Sequence, residues 1–398
     1  MNTYYIALRH LFKKNKYTYI SFSILFSLVS ITLGTCLFII VDSFTSGFNN
    51  SIDKKLSQID GHIRIINNFN NKDNNKIDSL VEKRNLNSTR FISNYVLLVK
   101  NDKVESTLFY SIKNNLFDKY FSLNDFVVTG KSQIENKNDI ILGYKLAEQL
   151  DISLNENVIL FSIDDIKNEN KFTANLYNVI GIIKTGFPEY DKTLSFINYD
   201  NAIYNYNTES AYTGNILNYR NSFNIDKEIQ YFKSSLNPFY YNIESWKDRH
   251  IELYNWLSVY SSPIYFVMLS ILILSIFNIF ISIRLIIDNK INNFAILKSL
   301  GFSKKDLIKI IINKGMLISL FSSILGSIIA IFFLNIQNKY KFIKLSSDVY
   351  FIDFLPAEIS YMNIFYLLLF TTIFSFLVSI FAARNILFLS PSKLLFNE

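Results

Sequence analysis

The chain has 398 residues, of which 50% are hydrophobic, 16% aromatic and only 18% charged, with a formal net charge of +7. A mean hydropathy of +0.19 at that composition excludes an ordinary soluble protein, and the single cysteine, Cys36, excludes an intrachain disulfide. The basic excess is distributed as a membrane-topology signal and so excludes a DNA-binding surface, while the abundance of Asn, Ile, Lys, Phe and Tyr reads as genomic nucleotide bias.

The leader carries Arg9, Lys13, Lys14 and Lys16 and no acid, and Tyr17 to Val41 follows without a charge. A charge-free apolar stretch of about 18 residues or more is a candidate membrane helix. This one is too long for the apolar region of a cleaved signal peptide, and no small-x-small site follows it; it runs on into Asp42-Ser43-Phe44 and reads as a retained anchor.

From about Phe44 to Trp256 the chain is polar and of domain size. His62 to Ile66 and Tyr95 to Val99 read as strands from their β-branched content. The stretch Asn67 to Asn75 reads as an Asn-rich loop. Ile140 to Leu142 leads through Gly143 into a short helix, Tyr144 to Leu150. Asn157 to Phe161, Tyr177 to Ile183 and Leu194 to Ile197 are further strands, and Asp200 to Tyr204 is a short helix. These imply an α+β domain with a mixed sheet and no internal repeat.

The second apolar run is Leu253 to Ile283, oiliest from Pro263 onward; the third is Gly315 to Asn338 and the fourth Ile359 to Ala383. Each can cross roughly 30 Å of hydrocarbon as a helix. Between the second and third lies a basic connection. Ile291 to Leu300 reads as a short helix closed by Gly301 in the left-handed conformation. Ser303 offers an N-cap with Asp306 three residues on, and an amphipathic helix from Lys304 to Asn313 continues without a breaker into the third run. The pattern fits a helix at the membrane surface that transmits a push, and equally a helical hairpin with basic anchors. Ser322, Gly326 and Ala330 in the third run, with Ser30 and Gly34 in the first, form small-residue stripes for close helix contact, within the chain or with a second subunit.

Lysines and arginines concentrate in the leader, in the 284–314 connection and in the tail at Arg384 and Lys393, whereas acids slightly outnumber bases between Asp42 and Ser262. Both termini and the connection are therefore expected in the cytoplasm and the large domain outside it. The expected order is leader and first span over 1–43, outer domain over 44–256, second span over 257–287 and coupling segment over 288–314. The third span over 315–338, an outer loop over 339–358, the fourth span over 359–383 and a tail over 384–398 follow.

Catalytic motifs are missing. Gly181 and Gly186 have the separation of a phosphate-binding loop, but Phe187 and Pro188 follow where Lys and Ser or Thr are needed. His10, His62 and His250 have no metal-ligand spacing, and the apolar runs hold no Asp, Glu, Lys or Arg that would mark an ion relay. The expectation is a non-enzyme that moves and binds, powered by a partner.

Six short stretches in order carry a resemblance along nearly the whole chain. They are Tyr5 to Arg9, Ser43 to Phe48, Ile140 to Ala147, Val179 to Gly186 with Glu189-Tyr190-Asp191, Ala295 to Gly301, and Ser390 to Leu395. Together they resemble the permease subunits of lipoprotein-releasing ABC transporters, the LolC/LolE family, within the FtsX-like permeases of MacB-like type VII transporter fold. The resemblance implies four transmembrane helices with an α+β, MacB-like periplasmic domain between the first and second, in the bacterial inner membrane. It implies two copies of a separate P-loop ATPase, which would hold ATP and Mg while this chain binds no cofactor, and a second permease, identical or paralogous. Asn293, Phe294, Ala295, Ile296, Leu297, Lys298, Ser299, Leu300 and Gly301 would contact the ATPase. Phe38, Val41, Phe44, Phe266 and Ile273 would line a cavity for the acyl chains of a lipoprotein taken from the membrane lipid. A hook between two strands, Ser162 to Asn175, with Asp164, Asp165, Lys167, Glu169 and Phe172, would recruit a periplasmic lipoprotein carrier. The chain departs from the family at Asn292 and Asn293, where charged residues are usual, and in a hook without proline. A permease of the same fold that activates a cell-wall hydrolase or drives an efflux adaptor is the alternative.

Overall fold

The computed structural model describes residues 18–68, 74–84, 86–163, 174–206, 212–218, 225–289 and 291–383. In chain order the first elements are α1 (Thr18–Asp60), β1 (Ile63–Asn67), α2 (Asn74–Lys83), β2 (Asn87–Lys100), β3 (Lys103–Ile112), β4 (Val127–Gly130), β5 (Asp139–Gly143) and α3 (Tyr144–Gln149). Next come β6 (Asn157–Ser162), β7 (Ala174–Ile183), α4 (Pro188–Thr193), β8 (Leu194–Ile197), α5 (Tyr199–Tyr206), β9 (Tyr212–Asn218), α6 (Ile225–Ser235) and β10 (Tyr241–Ser245). The chain ends with α7 (Ile251–Asn289), α8 (Ile291–Ser299), α9 (Lys304–Tyr340) and α10 (Tyr361–Ala383). Two compact units result. One is helical, with the described residues up to Asn49, then Leu257–Ile343 and those from Leu355 on; the other is Asn50–Trp256 with Lys344–Phe354.

In the helical unit α1, α7, α9 and α10 are each long and apolar enough to cross a membrane. Their outward faces are oily, as Leu33, Phe266, Leu274, Phe332 and Phe365 illustrate, and their buried polar groups are almost all small hydroxyls. The stripe in α9 is used within the chain: a Cβ on Gly326 would lie 2.0 Å from Thr35 Oγ1 of α1, so only glycine permits this approach. Thr32 Oγ1 donates to the Ser322 carbonyl at 3.2 Å, and Ser319 Oγ donates to the Thr371 carbonyl of α10 at 3.1 Å.

The α+β unit is two joined subdomains. The order β10-β1-β9-β2, with every neighbouring pair antiparallel and α2 and α6 as the crossovers, is a split βαβ, ferredoxin-like sheet. Its core is Ile63, Ile65, Leu217, Tyr241 and Ile243 from the strands against Ile77, Val81 and Phe232 from the helices. Everything from β3 to β8 is an insertion between its second and third strands. There β2 pairs β3, β3 pairs β8, β8 pairs β5, β5 pairs β7, β7 pairs β6, and β6 pairs back onto β2, closing a six-stranded ring. Inward-facing Val96, Leu98, Phe109, Ile140, Leu142, Val158, Leu160, Tyr177 and Val179 fill it. The 14-residue β2 belongs to both subdomains, pairing with β9 along its first half and with β6 near its end.

Several boundaries differ from those expected. The first helix does not stop at Ser43 but runs to Asp60, because Ile52, Leu56 and Ile59 recur on one face and are buried. The α+β unit accordingly starts at Asn50, and part of the loop expected over 339–358, Lys344–Phe354, packs as part of it. Helix α2 begins at Asn74, inside the stretch expected as a loop; the middle of that stretch, 69–73, lies outside the described residues, as do the leader and the tail.

Candidate functional site

The segment expected to contact an ATPase folds as α8 and the start of α9. Phe294 is buried with Ile279, Ile283 and Ile287 of α7, Leu307, Ile310 and Ile311 of α9, and Ala382 and Ala383 of α10, and Leu297 packs on the same cluster. Lys314 Nζ lies 5.9 Å from the centre of the Phe294 ring. The turn after α8 is a complete Schellman closure: Phe302 N–H donates to the Leu297 carbonyl and Gly301 N–H to the Lys298 carbonyl, both at 3.1 Å, with Gly301 at φ 91°. Leu297 and Phe302 supply its hydrophobic contact, both packing on that cluster. The capping box is present as expected: Ser303 Oγ accepts from Asp306 N–H at 3.2 Å, and the Asp306 carboxylate accepts from Ser303 N–H at 3.3 Å. The segment is thus fixed on one side and presents Ile296 and Leu300, the latter 72% exposed, on the other.

A second arrangement surrounds the Thr185–Asp191 turn of the α+β unit. The buried Asp191 carboxylate accepts from Thr185 N–H at 2.7 Å, Thr185 Oγ1 at 2.8 Å and Gly186 N–H at 3.3 Å. It thereby stabilises Gly186 at φ 86°. A Cβ at Gly143 would stand 2.5 Å from the Asp191 carbonyl oxygen, so the strand–glycine–helix stretch and the Gly186–Asp191 stretch, read separately in the sequence, pack on each other. The turn aims Tyr190 at Asp60, its hydroxyl donating to Asp60 Oδ2 at 2.6 Å. Asp60, 1% exposed, also accepts from Arg64 Nη2 at 2.9 Å and Arg249 Nε at 3.2 Å, and His250 Nε2 lies 2.8 Å from Oδ2. Arg64 donates on to the Tyr110 hydroxyl at 2.8 Å. Burial first, and the Asp60 carboxylate second, push the Tyr190 phenol well above its ordinary value, so it remains a neutral donor. Sequence reading quoted Tyr190 and Asp191 only as part of a family stretch; no spacing rule links them to Asp60 or Arg249.

The outer wall of the ring carries a third feature that alternation alone does not suggest. Val104, Val99, Ile159 and Leu176 form a cross-strand row, beside Tyr95 and the Leu97–Phe161 pair. Tyr95, Val104 and Leu176 are about half exposed or more, at 48%, 54% and 53%. This part of the sheet face is apolar where solvent would favour polar residues. It runs across β3, β2, β6 and β7, the last two being the strands on either side of the expected hook. Asp164, Asp165, Lys167, Glu169 and Phe172 themselves lie outside the described residues.

The residues expected to line a lipid cavity separate into two groups. Phe38 and Phe44 pack on the cluster of Cys36, Ile39, Ala330, Leu334, Ile364 and Leu367, with the Phe44 and Phe333 rings edge to face at 6.5 Å, and Val41 is half-buried on the same helix. Phe266 and Ile273 of α7 are exposed, at 70% and 44%.

Residues 265–391, holding α8, α9, α10 and most of α7, match the FtsX-like permease C-terminal family. The chain is 28% identical to the lipoprotein-releasing system transmembrane protein LolC of Buchnera aphidicola subsp. Schizaphis graminum, over 99% of this chain and 98% of that protein. It is 24% identical to the LolE protein of the same system in Haemophilus influenzae, over 99% of each. The resemblance read from the sequence holds end to end. Among solved structures, the periplasmic region of MacB from Actinobacillus actinomycetemcomitans is similar at 15% identity and a TM-score of 0.32, covering 50% of this chain and 96% of that one. The permease-like chain is a multi-pass membrane protein with its α+β domain between the first and second apolar helices.

Proposed function

We propose that the chain is a permease subunit of an ABC transporter that extracts lipoproteins from the inner membrane toward the outer membrane. The observation that carries the reading is the end-to-end likeness to transmembrane proteins of lipoprotein-releasing systems, with no large part of either chain left over. In this reading both termini and α8 face the cytoplasm and the α+β domain is periplasmic, consistent with the positive charge of the connection and the slight acidity of the domain. ATP and Mg belong to a separate P-loop ATPase, two copies of which meet the permease pair at Ile296 and Leu300. An apolar tip on a helix fixed by Phe294 and Leu297 suits a rigid contact that transmits displacement. The second permease, identical or paralogous, completes the lipid-facing wall to which Phe266 and Ile273 contribute. The apolar outer wall at Tyr95, Val104 and Leu176 supports capture of a lipoprotein carrier beside the hook.

Purification of the tagged chain in detergent with its neighbouring gene products tests the reading. A P-loop ATPase is expected to co-purify, and Leu300→Ser to weaken that association without altering the thermal unfolding of the permease, since Leu300 is exposed. Absence of any ATPase under every nucleotide condition overturns the reading. Leu297 is unsuited to this test, because its side chain and carbonyl both hold the turn together.

A further inference from the structure

Besides its continuous part, the α+β unit holds the separate piece Lys344–Phe354. Among the described residues this piece joins no strand of the sheet; its backbone pairing is with itself, through the Lys344–Phe354 bridge and Leu345 N–H to the Asp353 carbonyl at 2.9 Å. Side chains and one ammonium hold it on the unit. Phe351 stacks on Phe187, ring centroids 4.9 Å apart and planes 14° apart. The Phe351 carbonyl accepts from Lys55 Nζ at 2.8 Å, and the same ammonium reaches the Thr185 carbonyl at 3.3 Å. Asp348 pairs with Lys145 at 3.0 Å, and Ile352 is buried.

Two features set this contact apart from ordinary loop packing. The first is the backbone at Phe351. It follows a single helical turn, Ser347–Tyr350, and sits at φ 65°. Glycine is the usual residue in that conformation after a helix, and a bulky side chain is unfavourable there. The other described non-glycine residues at positive φ are Asn, Ser, Asp and Lys. A ring is tolerated at this position because it lies against Phe187, which is itself buried, while Val349 and Tyr350 on the same turn stay exposed. The second feature is charge. The piece brings two acids, Asp348 and Asp353, to a basic surface. Lys145 and Lys184 both act on Asp348, and Asp353 acts on Lys55. Such complementarity selects a partner more than it tightens binding. Gly186 lets the backbone approach, since a Cβ there would lie 3.0 Å from the Phe351 carbonyl oxygen.

We propose that Lys344–Phe354 is a detachable strap over a docking site on the α+β unit, and that the uncovered site takes an acidic peptide segment bearing an aromatic residue, supplied by a partner protein. The strap's own contacts define that ligand: a carboxylate for Lys145 and Lys184, a ring for Phe187 and a backbone carbonyl for Lys55. Because the strap is tethered to the site, it competes at high effective concentration and keeps the site closed until a partner matches it in several contacts. The inference concerns this unit alone and does not rest on the transporter reading.

The test uses the full chain in lipid nanodiscs and, as probe, a fluorescein-labelled peptide of residues 346–354. Apparent affinity falls with the fraction of chains whose site is open, so Phe351→Ala, which removes the strap's ring, should bind the peptide about tenfold tighter than the wild type. Adding Lys145→Glu to that chain should abolish the gain, and a peptide carrying Asp348→Lys should not bind. Hydrogen exchange on the same samples checks the release: Phe351→Ala should speed exchange at 344–354 and leave β5 and β7 as in the wild type. Equal peptide binding by wild type and Phe351→Ala overturns the strap. So does binding that survives Lys145→Glu, or exchange at 344–354 that the substitution leaves unchanged. If Phe351→Ala fails to fold, Asp348→Lys in the chain, an exposed change that repels Lys145, releases the strap for the same measurements with the same outcomes.

Discussion

The two units both bury small hydroxyls but differ in the bonded charges they bury. Among the described residues of the helical unit the buried polar side chains are mostly hydroxyls: Ser319, Ser322, Ser323, Ser327, Thr371, Ser375 and Ser379. Most bond a backbone carbonyl, often of their own helix, and Ser322 Oγ and Ser375 Oγ have no hydrogen-bond partner among the described residues. The α+β unit buries hydroxyls as well but adds a bonded ionic cluster, Asp60 and Arg64 with Arg249 close by, each bonded more than once, whereas the buried charge among the described residues of the helical unit is Lys314. A helix contact made of small hydroxyls loses little when it slides, since such bonds average about 0.6 kcal/mol in membranes. A buried ionic cluster loses heavily when any partner is displaced. The difference teaches where movement is tolerated: between the helices, and not at the cluster that ties α1 and the start of α7 to the ring.

The largest effect that would test this contrast is at Arg64. Arg64→Met keeps the bulk but removes one guanidinium from Asp60 and the donor from Tyr110. It should cost about 3–5 kcal/mol, as loss of one partner of a buried ion pair does. Denaturant unfolding of the full chain in micelles, followed by the near-ultraviolet signal of the α+β unit, measures it. A cost below about 1 kcal/mol would place the cluster with ordinary surface pairs and remove the contrast.

The next effect belongs to the helices. Gly326→Val places a branched side chain against Thr35 Oγ1 and the Thr32 carbonyl, 2.0 and 2.6 Å from where a Cβ would stand. Overpacking of that kind costs about 1–3 kcal/mol. Ser375→Ala, which removes a hydroxyl that bonds nothing, should be close to neutral. Detergent-titrated helix unfolding distinguishes them, and equal costs would mean that the hydroxyls, not the close approach, hold the helices together.

Much of this was legible beforehand where the signal is local. The four apolar runs, the strands around Ile140, Tyr177 and Leu194, the Gly301 stop and the Ser303–Asp306 box all follow from periodicity and capping chemistry. Strands β3, β9 and β10 and helices α2 and α6 went unread, because their apolar positions are diluted by Asn, Ser, Lys and Tyr and they are stabilised by neighbours far along the chain. The continuation of α1 to Asp60 was hidden by the loss of hydrophobicity after Val41, although Ile52, Leu56 and Ile59 hold helical spacing. The Asp60 cluster could not be read at all. Asp60 is separated by 130 residues from Tyr190 and by 189 from Arg249, and only the closed ring and the split sheet bring them together.

The smallest effect lies at the coupling segment, and it separates cap from contact. Ser303 is exposed and caps the first turn of α9, where its hydroxyl and the Asp306 carboxylate satisfy amides the helix itself leaves unbonded. Ser303→Ala should therefore cost about 1 kcal/mol, the ordinary value for an N-cap. Because α9 continues unbroken for 37 residues, that loss should appear as faster hydrogen exchange confined to residues 303–308, with the rest of the helix unchanged. Ser303→Asp should restore protection, since a carboxylate at this position also accepts from the third amide and suits the positive end of the helix. Were exchange to quicken along the whole of α9, the cap would be holding the helix and not only its first turn, and α8 would have to be regarded as loosely attached.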